Sequence, residues 1–323
     1  MIPTVLAALA LAAGPVRDYR ATPALATEGP AGSAAVVLRT FTRGGERLRL
    51  IVDPETLATR VVPAAGLPVK RRPWRAVREA VAGTAYGRAL KDAEANEKPL
   101  QGAGLGHLRP GRPGIDLTVD LCPSAHPLDR ALFTALTDAL GREARPLPVA
   151  IALTGAWMRE HAADLEWLAS LEREGTLAVT WVNHSNHHRA SPEAPLEENF
   201  LLQPGTDVRA EVLDTEKAML EAGLLPSVFF RFPGLVSRPD VFGTVVGLGL
   251  VPLGSDAWLA KSRKPPAEGS IVLVHANGNE PVGVRRFLEL LRTERENIRS
   301  GGWQLLDLRQ SVVDTEAGRP PRP

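Results

Sequence analysis

Residues 148–184 read PVAIALTGAWMREHAADLEWLASLEREGTLAVTWVNH, and this stretch decides the fold. Its two ends, PVAIALTG (148–155) and LAVTWVNH (177–184), are short and β-rich, with the length of strands buried on both faces. The middle, REHAADLEWLASLERE, has a helical pattern. A strand, a helix and a second strand in this order imply two parallel strands joined by a crossover helix.

The same alternation runs outward from this unit over the chain after residue 113. Further strands are expected at IDLTVDL (115–121), SVFFRFPG (227–234), LVPLGSD (250–256), SIVLVHAN (270–277) and WQLLDL (303–308). Helices are expected at LDRALFTALTDALGREA, TDVRAEVLDTEKAMLEAG, RPDVFGTVVGLG and GVRRFLELLRTERENIRS. Seven such strands fit a closed or nearly closed β/α barrel better than an open sheet, so residues 113–312 are expected to form an α/β fold, a distorted (β/α) barrel of about seven parallel strands. Residues 313–323 are expected to be a disordered tail.

Upstream, AAVVLRTFTR and ERLRLIVD flank Gly44-Gly45, the composition of a tight hairpin turn. TRVVPA suits a third strand, and PWRAVREAVAGTAYGRALKDAEA suits a pair of helices. Residues 33–112 therefore read as a small α+β unit ending in a Gly/Pro-rich linker, GAGLGHLRPGRPG. Residues 1–32 read as an export signal and linker: the apolar run Val5 to Ala13 is too short to span a bilayer, and Ala24-Leu25-Ala26 has the small-x-small form of a cleavage site. The usual positive leader is missing, because no Lys or Arg precedes Arg17. That absence counts against export, but the apolar run and the cleavage-like site together slightly favour an exported protein, periplasmic or secreted, over a cytoplasmic one, and no other stretch could cross a membrane.

The 323 residues carry 38 Lys and Arg against 37 Asp and Glu, a net charge of +1. That balance gives no electrostatic reason to expect nucleic acid as a partner and is easily reconciled with a small molecule or sugar polymer. The single cysteine, Cys122, excludes an intrachain disulfide.

Chemically capable residues gather at the C-terminal ends of the expected strands: Asp120, His184, Arg231, Asp256 and His275. In a β/α barrel these ends share one face, the face that carries active sites. His184 and His188, four residues apart in NHSNHH, can reach one divalent ion, though the H-x-x-x-H spacing alone is a weak signal and equally describes a polar loop. His187 breaks the spacing and reads as a bystander. His275 is either a satisfied core residue or a general acid, and Asp120 and Asp256 are either catalytic carboxylates or helix caps. Arg231 needs a carboxylate partner if it is buried.

Taken in order, five short motifs resemble those of the polysaccharide deacetylases, carbohydrate esterase family 4, over roughly the last 200 residues and not over the N-terminal unit. TVDLCP (118–123) is similar to the family's Thr-Phe-Asp-Asp-Gly-Pro, HSNHH to His-Ser/Thr-x-x-x-His, RFPG to its third motif, SDAW more loosely to the fourth, and LVH (273–275) to Leu-x-His. The resemblance implies a metal-dependent hydrolase that removes acetyl groups from a sugar polymer or related substrate. It implies Asp120 as general base, oriented by Arg231, with His275 as general acid beside Asp256. It further implies His184 and His188 as ligands of a divalent metal, zinc by expectation, with Leu273 lining the acetyl pocket. Trp258, Phe232 and Asn277 are the further candidates for substrate contact. The sequence departs from the pattern at Leu121, which stands where the family has its metal-binding aspartate. Asp120 or Cys122 could take that place, or the site could hold no metal. In that last case the chain would be a non-catalytic carbohydrate-binding pseudoenzyme on the same barrel.

Overall fold

Gly44 and Gly45 adopt positive φ angles of 56° and 81°, a turn that suits the twist of a hairpin. In the computed structural model, which describes residues 13–28, 33–141, 144–262 and 264–317, this turn joins β2 (Ser33–Arg43) to β3 (Glu46–Val52). With β1 (Val16–Glu28), β4 (Thr59–Pro63) and β5 (Val69–Arg71) they form an antiparallel sheet in the order β4-β3-β2-β1-β5. The segment expected to be a linker is therefore a 13-residue strand. Ala24 and Ala26, the proposed cleavage residues, are buried in it and pair with both β2 and β5. A cut there would remove most of a strand from inside the sheet. The apolar run Val5 to Ala13 lies, except for Ala13, outside the described residues. Helices α1 (Trp74–Ala80) and α2 (Ala85–Ala95) complete the unit as expected.

The second sheet holds β6 (Asp116–Leu121), β7 (Leu147–Leu153), β8 (Leu177–Asn183), β9 (Pro226–Arg231), β10 (Val251–Leu253), β11 (Ala257–Trp258) and β12 (Ile271–His275). All its pairings are parallel, in the order β10-β9-β8-β7-β6-β12-β11. It is the curled, distorted β/α barrel expected from the sequence, with one strand exchanged. WQLLDL is not a strand; Leu305 makes only an isolated bridge to Ile115, and the seventh strand is the two-residue β11. The barrel stays open between its edge strands. The expected linker crosses the gap: Leu105 bridges to Leu253 in β10 and His107 to Ser270 beside β12. The tail expected at 313–323 is also corrected in part, because α10 (Leu308–Ala317) extends into it and buries Ser311, Val312 and Thr315.

Strand alternation sorts the barrel residues by face. Leu117, Val119 and Leu121 of β6 point outward with Ile151, Leu153, Val272 and Val274. There they pack against α3 (Arg130–Leu140), α4 (Gly155–Glu160), α5 (Ala162–Arg173) and α8 (Pro281–Thr293) through Leu132, Phe133, Trp157, Leu168 and Phe287. Each such side chain contributes roughly 1.5–3 kcal/mol by burial. Asp116, Thr118 and Asp120 point inward. Asp120 lies in register between Ala152 and His275, and Thr118 between Ala150 and Leu273. Two alanines on β7 leave room for the polar groups opposite.

The two sheets share a core. Val36, Leu38 and Val52 pack with Phe229, with Val251, and with Phe242 of α7 (Pro239–Gly247). Arg39, fully buried, forks onto both carboxylate oxygens of Glu216 in α6 (Val208–Glu221) at 2.6 and 2.8 Å and also donates to Leu248 O. Tyr19 Oη donates to the same carboxylate. The antiparallel sheet is thus fastened to the barrel by apolar packing and a satisfied buried ion pair.

Candidate metal and catalytic site

His184 follows directly on β8, and its Nδ1 lies 2.8 Å from the backbone carbonyl of Arg231 at the end of β9. A carbonyl only accepts, so Nδ1 carries the proton and Nε2 presents its lone pair inward. Burial pushes the His184 pKa down to about 4 against the pull of Asp120, keeping the ring neutral and able to ligate. Nε2 lies 3.4 Å from Cys122 Sγ and 3.7 Å from Asp120 Oδ2.

His188 completes the cluster. Its ring centroid is 4.9 Å from that of His184, and its Nε2 is buried without a hydrogen-bond partner. Ligand atoms of Cys122, His184 and His188 all lie within 4.8 Å of one another. One thiol and two imidazoles, one of them with an orphaned ring nitrogen, form a three-donor set suited to zinc.

The loop between the histidines is held from outside. Backbone N–H groups of Asn186 and His187 both donate to Glu211 Oε2 at 2.8 Å, and His187 Nδ1 pairs with Glu211 Oε1 at 2.6 Å. Asn183 anchors its start, donating to Val212 O and accepting from Ser185 N–H. Arg159 grips Asn186 Oδ1, which approaches so closely that a Cβ on Gly155 would sit 1.9 Å from it. Ser185 and His188 both take positive φ, 71° and 50°, a strain the surrounding bonds must hold. His187, read as a bystander, is half of the clasp on this loop.

Asp120 stands next to the cluster. Arg231, wholly buried, approaches Asp120 Oδ1 at 3.6 Å and donates to Thr118 Oγ1 at 3.0 Å. Burial disfavours the Asp120 carboxylate. The Arg231 guanidinium, followed by His184, His275 and His188, more than offsets this and holds its pKa below the usual range. Burial likewise opposes a thiolate at Cys122, but His188 and His275 outweigh it and bring the thiol down to about 7.

His275 is paired through Nδ1 with Glu280 Oε2 at 2.8 Å. Burial works against its charged form; Cys122, Glu280 and Asp120 override it and push the pKa up to about 10. Glu280 is braced by Trp258, whose Nε1–H donates to the same oxygen at 2.6 Å. The Trp258 ring lies 5.8 Å from that of His275 and carries Lys261 Nζ 3.5 Å above it. Leu273, two residues before His275, shares its inward face and is buried.

Three expected site residues fall elsewhere. Asp256 is bound to His107 Nδ1 at 2.7 Å, Ser270 Oγ and Ile271 N, at the N-terminal end of β12. Four residues of strand, about 13 Å, separate that end from His275, so Asp256 is no partner for it; Glu280 is. Phe232 is buried among Phe230 and Phe242, in the core. Asn277 is fully buried and donates to Cys122 O at 2.7 Å, supporting the loop under the cysteine, with no face open to substrate. Leu121 points into the outer apolar layer and offers nothing to a metal.

No protein-family model matches the chain. Among solved structures it is similar to a family 4 carbohydrate esterase from Bacillus anthracis, with 18% identity and a TM-score of 0.48 over 72% of this chain and 94% of that one. It is similar also to the peptidoglycan deacetylase PdaC from Bacillus subtilis, at 16% identity and a TM-score of 0.44 over 65% and 95%. A third is a carbohydrate esterase family 4 pseudoenzyme from Bacillus anthracis, at 15% identity and a TM-score of 0.44 over 66% and 70%. The solved chains it is similar to thus include both carbohydrate esterases of family 4 and pseudoenzymes of that family.

Proposed function

We propose that the protein is a metal-dependent hydrolase that removes acetyl groups from a sugar polymer or related substrate. The observation that carries this reading is the meeting of Cys122, His184 and His188 within 4.8 Å, with Asp120 and His275 in register beside them. His184 Nε2, His188 and the Cys122 thiolate would hold the ion, and when bound it would acidify water and polarise the acetyl carbonyl.

The chain's own groups supply the proton transfers. Asp120, ionised at neutral pH, accepts a proton from the attacking water as its oxygen bonds to the acetyl carbon. Arg231 keeps that carboxylate charged and fixed. His275, protonated well above neutral pH, gives its proton to the departing nitrogen or oxygen as the bond to the acetyl carbon breaks, leaving acetate and a free amine or hydroxyl. Glu280 holds the imidazolium in position. Trp258, braced by Glu280 and Lys261, offers an apolar face beside the acid on which a sugar ring can rest, and Leu273 offers an apolar floor for the acetyl methyl.

The test is acetate release from an N-acetylated chito-oligosaccharide by the zinc-loaded protein. Asp120→Asn is expected to lower kcat by about 10²- to 10⁴-fold with zinc still bound. A non-catalytic carbohydrate-binding protein is the second reading, favoured by Leu121, which removes a carboxylate ligand; oligosaccharide binding with no acetate released would establish it. Export through the run Val5 to Ala13 is compatible with the fold only if processing falls before β1. Among the described residues no helix is long and apolar enough to cross a membrane.

A further inference from the structure

The near-zero net charge of the chain conceals a strong asymmetry. Between Arg17 and Glu79 there are twelve Lys and Arg against six Asp and Glu, so the remainder is net acidic. The register of the antiparallel sheet shows where the excess goes. Arg17 lies opposite Thr42 and Thr42 opposite Arg47; Arg20 lies opposite Thr40 and Thr40 opposite Arg49. Cross-strand partners share a face, so these are two parallel Arg-Thr-Arg ranks on one side of the sheet. That side is the outer one, since Phe41, Leu48 and Leu50 of the opposite side pack with Leu220 of the barrel. Strand spacing sets the two arginines of a rank about 10 Å apart and the ranks about 7 Å apart. Arg71, opposite Ala24 on β5, extends the array.

These cations are not neutralised by the fold. Arg17, Arg20, Arg47, Arg71 and Arg72 are exposed and have no carboxylate partner among the described residues. Arg49 is partly buried and donates to Leu67 O; burial first, then the nearby Arg47 and Arg71, lower its pKa, a sign of crowded like charge. A groove of about 460 Å³ lined by Arg20, Thr22, Pro23, Arg71, Arg72 and Pro73 runs along the β1–β5 side of the array.

We propose that this outer sheet face is a docking surface for an acidic polysaccharide, with sugar carboxylates seated on Arg17, Arg20, Arg47 and Arg71 and sugar hydroxyls on Thr22 and Thr42. Guanidinium forks match carboxylates in two-point contact, and the spaced grid suits charges recurring along a stiff chain. Among the described residues the face has no aromatic ring on which bases could stack: Tyr19 and Phe41 pack inward. Its apolar residues, Ala24, Ala35, Val37 and Ile51, are all buried and cannot enter a bilayer. The proposal rests on the sugar-polymer reading of the barrel, to which it adds a remote hold on charged stretches of the substrate.

The experiment is a binding isotherm of the zinc-loaded full chain with sodium polygalacturonate, at low and at physiological salt. The triple variant Arg20→Gln, Arg47→Gln, Arg71→Gln is compared with the natural chain. The natural protein is expected to bind with marked salt dependence and the variant about tenfold or more weakly, with a shallower salt slope. Acetate release from a short neutral chito-oligosaccharide should be the same for both. Absence of polygalacturonate binding, or equal binding by the variant, overturns the proposal. So does tighter binding of single-stranded DNA or phosphatidylserine vesicles at matched charge concentration. Polymer binding without acetate release would instead refute the deacetylase reading and leave the docking surface standing.

Discussion

Replacing Cys122 by Ser tests the proposed site most directly, because the cysteine is the candidate ligand supplied by no family pattern. Its Sγ lies 3.4 Å from His184 Nε2 and within the three-ligand cluster. Structural zinc sites with four ligands bind with about 10–16 kcal/mol, so one good ligand is worth roughly 3 kcal/mol, or about 100-fold in Kd. A zinc concentration about 100 times the Kd of the natural protein stabilises it by roughly 2.7 kcal/mol. The same concentration would equal the Kd of Cys122→Ser and contribute only about 0.4 kcal/mol. For a chain of this size the lost ~2.3 kcal/mol corresponds to roughly 3 °C of zinc-dependent Tm. The assay is thermal unfolding with and without zinc, paired with absorption spectra of the cobalt-loaded protein. A thiolate ligand gives a sulfur-to-cobalt charge-transfer band that the variant must lack. If the natural protein shows no such band, or the variant keeps its full zinc-dependent Tm, Cys122 is not a ligand and the reasoning fails.

Leu121→Asp, which would restore the family's aspartate by sequence, is expected to cost about 3–5 kcal/mol in denaturant unfolding. It would place a carboxylate in the outer apolar layer with Leu153 and Trp157; a gain in metal affinity would contradict that placement. Glu280→Gln removes an anion that raises the His275 pKa toward about 10. In the proposed reaction the imidazolium is the active form and is lost as pH rises, so the alkaline limb of kcat/KM should move down by about one pH unit or more, with the acidic side unchanged; a pH-rate profile reads this. Arg39→Met leaves Glu216 buried without its cation, and is expected to cost about 3–5 kcal/mol by urea unfolding, whereas Arg39→Met with Glu216→Leu should recover much of it.

The alternation of strands and helices was legible because each parallel strand is a short apolar run buried on both faces, as β6 is at all six positions. The errors came where tertiary contact overrides local pattern. Residues 15–32, rich in Pro, Ala, Gly and Thr, read as a linker, yet 16–28 form a strand because β2 and β5 flank it on either side. WQLLDL has strand composition but meets the barrel through one bridge at Leu305. At the candidate site, Asp120, His184 and His275 stand out because they lie at or next to strand ends, and His188 because of its spacing from His184. Asp256 lies away from His275 because β11 begins level with Val272, three residues below His275, and no sequence pattern sets that register. Glu280 lies in a loop, and its pairing depends on the chain turning back after Asn277 to face the histidine.

Leu121 shows why a motif and a site are different objects. By sequence the ligand position follows the base directly, and a leucine there removes a ligand. In the structure the face alternates along β6, so residue 121 is committed to the outer layer while residue 122, beyond the strand, is free to turn inward. Asn277 enforces that turn by holding the Cys122 carbonyl at 2.7 Å, and Ser124 returns a hydrogen bond to Asn277 O, so β6 and β12 are laced together beneath the thiol. The missing aspartate therefore does not decide between hydrolase and pseudoenzyme. What decides is whether a soft thiolate one residue later can do what a carboxylate would have done, and a thiolate that binds zinc more tightly also donates more charge to it, leaving a weaker Lewis acid. On that argument the proposed site should hold zinc firmly and turn over slowly, a combination that neither a full loss of activity nor an unmodified deacetylase would show.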